Sequence, residues 1–179
     1  MQPMFETLLK LMETPLRQNA GVKTDNSILL IYPPEKELEF REELLDRCLP
    51  ALEAIGIQVH TLDLTGFMFL GLSEEEVEAI QQDEFEDYAW TLKGLSQRIT
   101  DSLRAHLQEL AAENPNGNVV VYGTVALYPL VRFGEVLRDL RDAPMRLVLV
   151  FPRDERGGKL RFMKEPDGSN YLAIKLSWK

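Results

Sequence analysis

Short, continuous apolar runs alternate in this chain with longer segments whose apolar residues recur every three or four positions. The first helix is marked by Phe5, Leu8, Leu9 and Met12. Residues 15–26, rich in Asn, Gly and Asp, read as a linker. The run SILLIY at 27–32 is apolar throughout, the mark of a strand buried on both faces. Pro33 and Pro34 stop it and open a helix over about 35–55, since proline fits the first helical turn. Its buried stripe is predicted as Leu38, Leu45, Cys48, Leu52 and Ile55, with Leu44 and Leu49 at the margin. Pro50 should kink or divide that helix. Gly56 supplies a left-handed stop, and IQVHTL at 57–62 predicts a second strand.

Beyond it, Phe67-Met68-Phe69-Leu70 precedes Ser73-Glu74-Glu75-Glu76, a capping box opening an acidic helix. Tyr88, Leu92, Leu95, Ile99, Leu103, Leu107 and Leu110 then keep one face of a long helix, up to Asn114-Pro115-Asn116-Gly117. NVVVY at 118–122 is a third buried strand, 127–141 a helix, and MRLVLVF at 145–151 a fourth strand. Residues 159–163 and 171–175 predict an antiparallel hairpin turning at Pro166, Asp167 and Gly168. Strands this apolar, alternating with helices, indicate a mostly parallel sheet covered on both faces. The expected architecture is an α/β three-layer sandwich, Rossmann-like or degenerate P-loop-like, with an antiparallel edge hairpin. Residues 1–26 form its N-terminal helix and linker, and 27–179 a single α/β domain.

Charge sharpens this picture. The net charge is −9, yet between Cys48 and Leu92 there are ten acids and no Lys or Arg. One stretch therefore carries the whole imbalance, and its field opposes a phosphate backbone. A solvated helix face or a docking surface for a basic partner both fit it. Cys48 is the only cysteine, so no internal disulfide can form, as in a reducing cytoplasm. No apolar run approaches the ~20 residues of a membrane span, and the first twelve residues do not read as a signal peptide.

The chemistry-bearing motifs of α/β folds are missing where they should stand. The first strand runs into Tyr32-Pro33-Pro34-Glu35, with no glycine to bring backbone N–H groups to a phosphate and no following Lys-Ser/Thr. Neither a Walker A loop nor a dinucleotide fingerprint is present. His60 and His106 are the only histidines and have no partner at metal-ligand spacing. No metal or cofactor is expected. Asp63, at the end of the second strand, is the one acid placed where a catalytic group would be useful.

Two clusters stand out. In Pro34-Glu35-Lys36-Glu37-Leu38-Glu39-Phe40-Arg41, Glu37 and Arg41 are four apart, a spacing suited to an ion pair. Leaving the third strand, Tyr122-Gly123 leads to Tyr128-Pro129-Leu130-Val131-Arg132, where Tyr128 and Arg132 are again four apart. Both clusters belong at the same sheet edge, as a binding crevice or as structural ties. Together they resemble the domain family once called DUF1788, named BrxB in BREX phage-defence systems. Pro34, Glu37, Arg41 and Leu44 match its Pro-x-x-Glu-x-x-x-Arg-x-x-Leu segment; Tyr128, Pro129 and Arg132 match its Tyr-Pro helix start; and Val148 to Pro152 matches its strand ending in Phe-Pro. Arg153 stands where family members usually have glycine, and Tyr122 departs from their Thr before Gly123.

The resemblance covers roughly 27–176. It implies an accessory subunit of an antiviral assembly that includes a large ATPase, a DNA methyltransferase and the phosphatase-like protein PglZ. A cytoplasmic, non-enzymatic adaptor is thus the leading expectation. Its candidate partner interface is the apolar run Phe67, Met68, Phe69 and Leu70 beside Glu74, Glu75, Glu76 and Glu78. One alternative is an unfamiliar hydrolase or nuclease using Asp63 with Glu37 and Arg41 or Arg132. The other is a weak nucleic-acid-binding subunit using Arg153, Arg156, Lys159, Arg161 and Lys164.

Overall fold

The computed structural model describes residues 2–16, 26–82, 88–152, 154–156, 159–162, 165–166 and 173–178. Its strands are β1 (Ile28–Tyr32), β2 (Val59–Asp63), β3 (Asn118–Tyr122), β4 (Arg146–Pro152), the short β5 (Asp154–Arg156), β6 (Lys159–Phe162) and β7 (Glu165–Pro166), and β8 (Ile174–Ser177). A five-stranded sheet has the order β2-β3-β4-β1-β8, and every pair in it is parallel. The α/β sandwich expected from the sequence is therefore present, but its antiparallel edge is not. The tail strand β8 lies parallel to β1, pairing Ile28 with Ile174. Segment 159–162 instead pairs antiparallel with β5 and β7 in a separate small sheet. Two apolar-alternating segments near a Pro-Asp-Gly turn signal look like a hairpin locally. The exposed edge of β1 offers the second one a longer, more buried partner, and that wins.

Both faces of the central strands β1, β3 and β4 are covered, which explains why those runs are continuously apolar. Leu29, Ile31, Val119, Val121, Leu147, Leu149 and Phe151 point to one side. Against them pack helix α5 (Tyr88–Glu113), through Leu95, Ile99, Leu103 and Leu107, and helix α6 (Phe133–Leu140), through Val136, Leu137 and Leu140. Alternate residues Ile28, Leu30, Tyr32, Val120, Val148 and Val150 point the other way. They meet helix α1 (Pro3–Glu13) and the helical segment 37–54. Helix α1 buries Met4, Phe5, Leu8 and Met12 in that layer. The buried Arg146 guanidinium fixes its end by donating to the Met12 carbonyl at 3.0 Å and the Thr14 carbonyl at 2.6 Å. Linker residues 17–25 lie outside the described residues.

The segment after β1 departs most from the expected pattern. It comprises a 3-10 turn (Pro34–Lys36), α2 (Glu37–Glu42), a π-helical stretch (Glu43–Cys48) and α3 (Leu49–Ala54). The buried stripe is Phe40, Leu44, Cys48 and Leu52, whereas Leu38 is 82% and Ile55 48% exposed. Along a regular α-helix, residues 40 and 52 would stand about 120° apart around the axis. One extra residue taken up by a π turn reduces this to about 20° and restores a single stripe. Pro50 lies in the first turn of α3. Lacking an N–H, it cannot continue the α-helical ladder, so the wider turn sits immediately before it. Gly56 ends the segment as expected, at φ +81°, with the Ile57 N–H donating to the Leu52 carbonyl at 3.0 Å.

Candidate functional site

The second strand ends one residue later than predicted, and that residue is Asp63. Parallel register sets Asp63 beside Tyr122 at the carboxyl end of the sheet, where ligands of open α/β folds are found. Asp63 Oδ2 accepts from Arg41 Nη2 at 2.9 Å, across from α2. Its Oδ1 accepts both the Thr65 N–H at 2.9 Å and the Thr65 hydroxyl at 2.5 Å. The Tyr122 phenol lies close enough to the same carboxylate for the two to act on each other electrostatically. The Arg41 guanidinium lies 5.3 Å from the centre of the Tyr122 ring, a cation–π contact.

Gly123 makes this approach possible. It adopts φ +73°, and a Cβ there would lie 2.8 Å from Asp63 Oδ1 and 3.0 Å from Thr65 Oγ1. Burial works against ionising Asp63, but Thr65, Arg41 and Tyr122 outweigh it and hold the carboxyl below its usual range. Burial, joined by the Asp63 charge, raises the Tyr122 phenol. A carboxylate bonded on both oxygens and kept ionised is poorly suited to proton transfer. It is well suited to tying α2 to the ends of β2 and β3.

Glu37 and Arg41 do not form the i,i+4 pair expected of them. Glu37 accepts the hydroxyl of Tyr32, whose ring stacks on Phe40 at 4.2 Å. Burial, with the neighbouring carboxylate, raises the Tyr32 phenol. Arg41 turns instead to Asp63. Spacing along one helix could not reveal this, because the partners come from the strands: a donor for Glu37 from β1 and an acceptor for Arg41 from β2.

Tyr128 and Arg132 are not brought together on a helix. The expected helix over 127–141 begins only at Phe133, after a 3-10 turn (Thr124–Leu127) and a cis Tyr128–Pro129 bond. A residue before proline is driven to extended backbone, and Tyr128 has ψ 139°. Its ring packs against the α5–α6 layer, while Arg132 is 81% exposed and 3.9 Å from Glu135. Thr124 anchors this connection, its hydroxyl donating to the Val150 carbonyl at 2.8 Å. Two neighbours of Asp63 are absent from the expected set: Thr65, which the local Asp-x-Thr spacing signals as a side-chain turn, and Tyr122, which the register of β2 on β3 sets beside it.

The apolar run begins two residues beyond Thr65. Phe67–Gly71 forms a 3-10 turn. Phe67 is buried and Met68 half-buried, but Phe69 is 55% and Leu70 81% exposed. Behind this turn, Phe67, Met68 and Leu72 face Leu95 and Ile99 of α5 across a cleft of about 350 Å³. Leu72 leads into α4 (Glu74–Gln82), whose capping box forms as expected. The Ser73 N–H donates to Glu76 at 2.9 Å, and the Glu76 N–H to Ser73 Oγ at 3.2 Å. Arg98, at the cleft mouth, binds Glu76 at 2.5 Å and lowers that carboxyl to about 2, with help from the Ser73 amide. Glu74, Glu75 and Glu78 are exposed and make no ion pair among the described residues.

The remaining candidates are dispersed. His60 is exposed on β2, and His106 lies on α5 with its ring 6.3 Å from that of Phe67. Burial, with the charge of Glu43, raises the Cys48 thiol to about 12. Among the described residues, no three His, Cys, Asp or Glu side chains converge as a metal site would require. No described helix is long and apolar enough to cross a membrane. Of the basic residues near the tail, Arg153 and Lys164 lie outside the described residues, and backbone register sets Asp154 opposite Arg161. No family model matches this chain, and no curated protein matches it either.

Proposed function

We propose that the protein is a non-enzymatic adaptor, an accessory subunit that bridges other components of a BREX-type antiviral assembly. The observation that carries this reading is the mutual engagement of the polar groups at the carboxyl edge of the sheet. Tyr32 is bonded to Glu37, and Arg41, Thr65 and Tyr122 all converge on Asp63. The position used for chemistry in comparable folds is here a set of structural ties. Two prolines occupy the turn where a phosphate cradle would stand. Large apolar side chains are left at the surface elsewhere, which suits work done by contact. The sequence resemblance supplies the assembly and its members, the phosphatase-like PglZ protein and the large ATPase.

The test is co-purification of the tagged chain with the products of its neighbouring genes, followed by mass spectrometry. A stoichiometric complex with PglZ or the ATPase is expected. Failure to associate with any of them, or micromolar nucleotide binding abolished by Arg41→Ala, would overturn the adaptor reading.

A further inference from the structure

We infer that the cleft between the Phe67–Gly71 turn and α5 receives a basic, amphipathic helical segment of a partner protein; this inference rests on the adaptor reading and specifies the partner's chemistry. The floor is apolar, formed by Phe67, Met68, Leu72, Leu95 and Ile99. Its α5 wall runs from Leu95 to Ser102, about 10 Å at the helical rise. Two anchors spaced i,i+4 on an incoming helix are about 6 Å apart, so one face of that helix fits along the wall. Phe69 and Leu70, exposed on the same turn, extend the apolar surface beyond the cleft. An apolar centre with a charged rim is the anatomy of a protein interface.

Charge selects the sign of the partner. At the mouth, Arg98 is matched by Glu76, and Asp101 by Arg104 at 2.7 Å, so these pairs contribute little net field. Glu74, Glu75 and Glu78 are left on the exposed side of α4, whose first residue lies two positions after Leu72 of the cleft. The stretch from Cys48 to Leu92 contains no base to offset them. An acidic or neutral amphipath would bury its apolar face equally well but would meet only repulsion or indifference at this rim. Lysines and arginines flanking the anchors complement it.

The experiment uses fluorescence anisotropy with a labelled Lys/Leu peptide whose leucines recur at i, i+3, i+4 and i+7. Two comparison peptides carry Glu for every Lys, or Ser for every Leu. The intact protein should bind the Lys/Leu peptide at least about tenfold more tightly than either comparison peptide. The double variant Phe69→Asp, Leu70→Asp should lose about tenfold, and Glu74, Glu75 and Glu78 all changed to Lys should reverse the preference toward the Glu/Leu peptide. A control with Glu42, Asp46 and Glu53 changed to Lys should bind like wild type. Equal loss in that control would show generic charge attraction and overturn the inference.

Binding unchanged in the two face variants would overturn it too, as would self-association abolished by Phe69→Asp, which makes a second copy the occupant. Should the double variant fold poorly, the lysine variant on the exposed face of α4 decides alone. Neighbouring-gene proteins that still co-purify with both face variants would refute the cleft but leave the adaptor reading standing. Absence of any complex beside intact peptide binding would do the reverse.

Discussion

The carboxyl edge of the sheet and the cleft beside α4 contain similar material, aromatic rings next to acids, and use it in opposite ways. At the sheet edge, Tyr32 and Phe40 are stacked, Tyr122 lies under the Arg41 guanidinium, and Asp63 gives up its oxygens to Arg41 and Thr65. At the cleft, Phe69 and Leu70 face solvent, and Glu74, Glu75 and Glu78 stand on an open helix face. The difference teaches where to look for function in such a chain. Clustered polar residues at the expected site can be structural closure. Surface left unsatisfied elsewhere is then the better guide to contact with other molecules.

Two phenylalanines give the sharpest way to break that contrast. Phe40 is 1% exposed, and its ring packs against Tyr32, Phe5 and Trp178, at 4.2, 5.4 and 5.6 Å between centroids. Phe40→Ala should cost about 3–5 kcal/mol, the range for truncating a fully buried aromatic ring. Phe69→Ala should lie within about 0.5 kcal/mol of wild type, as for an exposed position. Urea denaturation measures both. Equal losses would place Phe69 in the core and dissolve the distinction between the two regions.

A smaller effect is expected at the turn after β3. Gly123→Ala combines a left-handed backbone with a Cβ pressed into Asp63 and Thr65. The expected loss is about 1–3 kcal/mol, and the variant should also displace Arg41 from Tyr122. A melting curve checks the first, and perturbed tyrosine fluorescence or Arg41 side-chain NMR shifts the second. A neutral Gly123→Ala would mean that the carboxylate does not sit against this turn.

These effects also show which parts of the molecule could be read from sequence. The layers could, because runs such as SILLIY and NVVVY are too apolar to have a wet face, and the long stripe on α5 holds one period. Even the capping box and the Gly56 stop are local chemistry and stand where residue type places them. What escaped is set by contacts distant in sequence. A regular helix would put Leu38 on the buried stripe, and the π turn before Pro50 moves that face to Phe40 and Leu44. Spacing pairs Arg41 with Glu37, while its actual partner arrives from a strand 22 positions onward. The tail strand depended on the free edge of β1, which no local pattern describes.

The Arg41–Asp63 pair tests how much the sheet-edge ties are worth. Both side chains are more than one-third exposed, so solvent screens their attraction. A double-mutant cycle with Arg41→Ala and Asp63→Asn should return a coupling of no more than about 1 kcal/mol. A coupling several times larger would mark a buried, preorganised charge pair, and with it a case for a working site at this edge.

The smallest expected effect concerns the other region and its dependence on pH. Glu76 joins α4 to α5 by accepting from Arg98, and it closes the capping box with Ser73. Both contacts favour the carboxylate and bring the carboxyl from its ordinary 4.5 down to about 2. A group depressed on folding stabilises the native state above its unfolded value, and the contribution fades as pH falls from 4.5 toward 2. The α4–α5 link should therefore be constant between pH 5 and 8 and loosen only in acid. Since Glu76 is at the surface, global stability should barely register this, and the proper readout is its own carboxyl resonance. An NMR titration should give a midpoint near 2 in wild type, moving back toward 4.5 in Arg98→Met. A wild-type midpoint already near 4.5 would mean that Arg98 does not hold Glu76 in solution. The matching of Arg98 by Glu76 at the cleft mouth would then fail, and the negative rim on which the choice of a basic partner depends would be weakened at its centre.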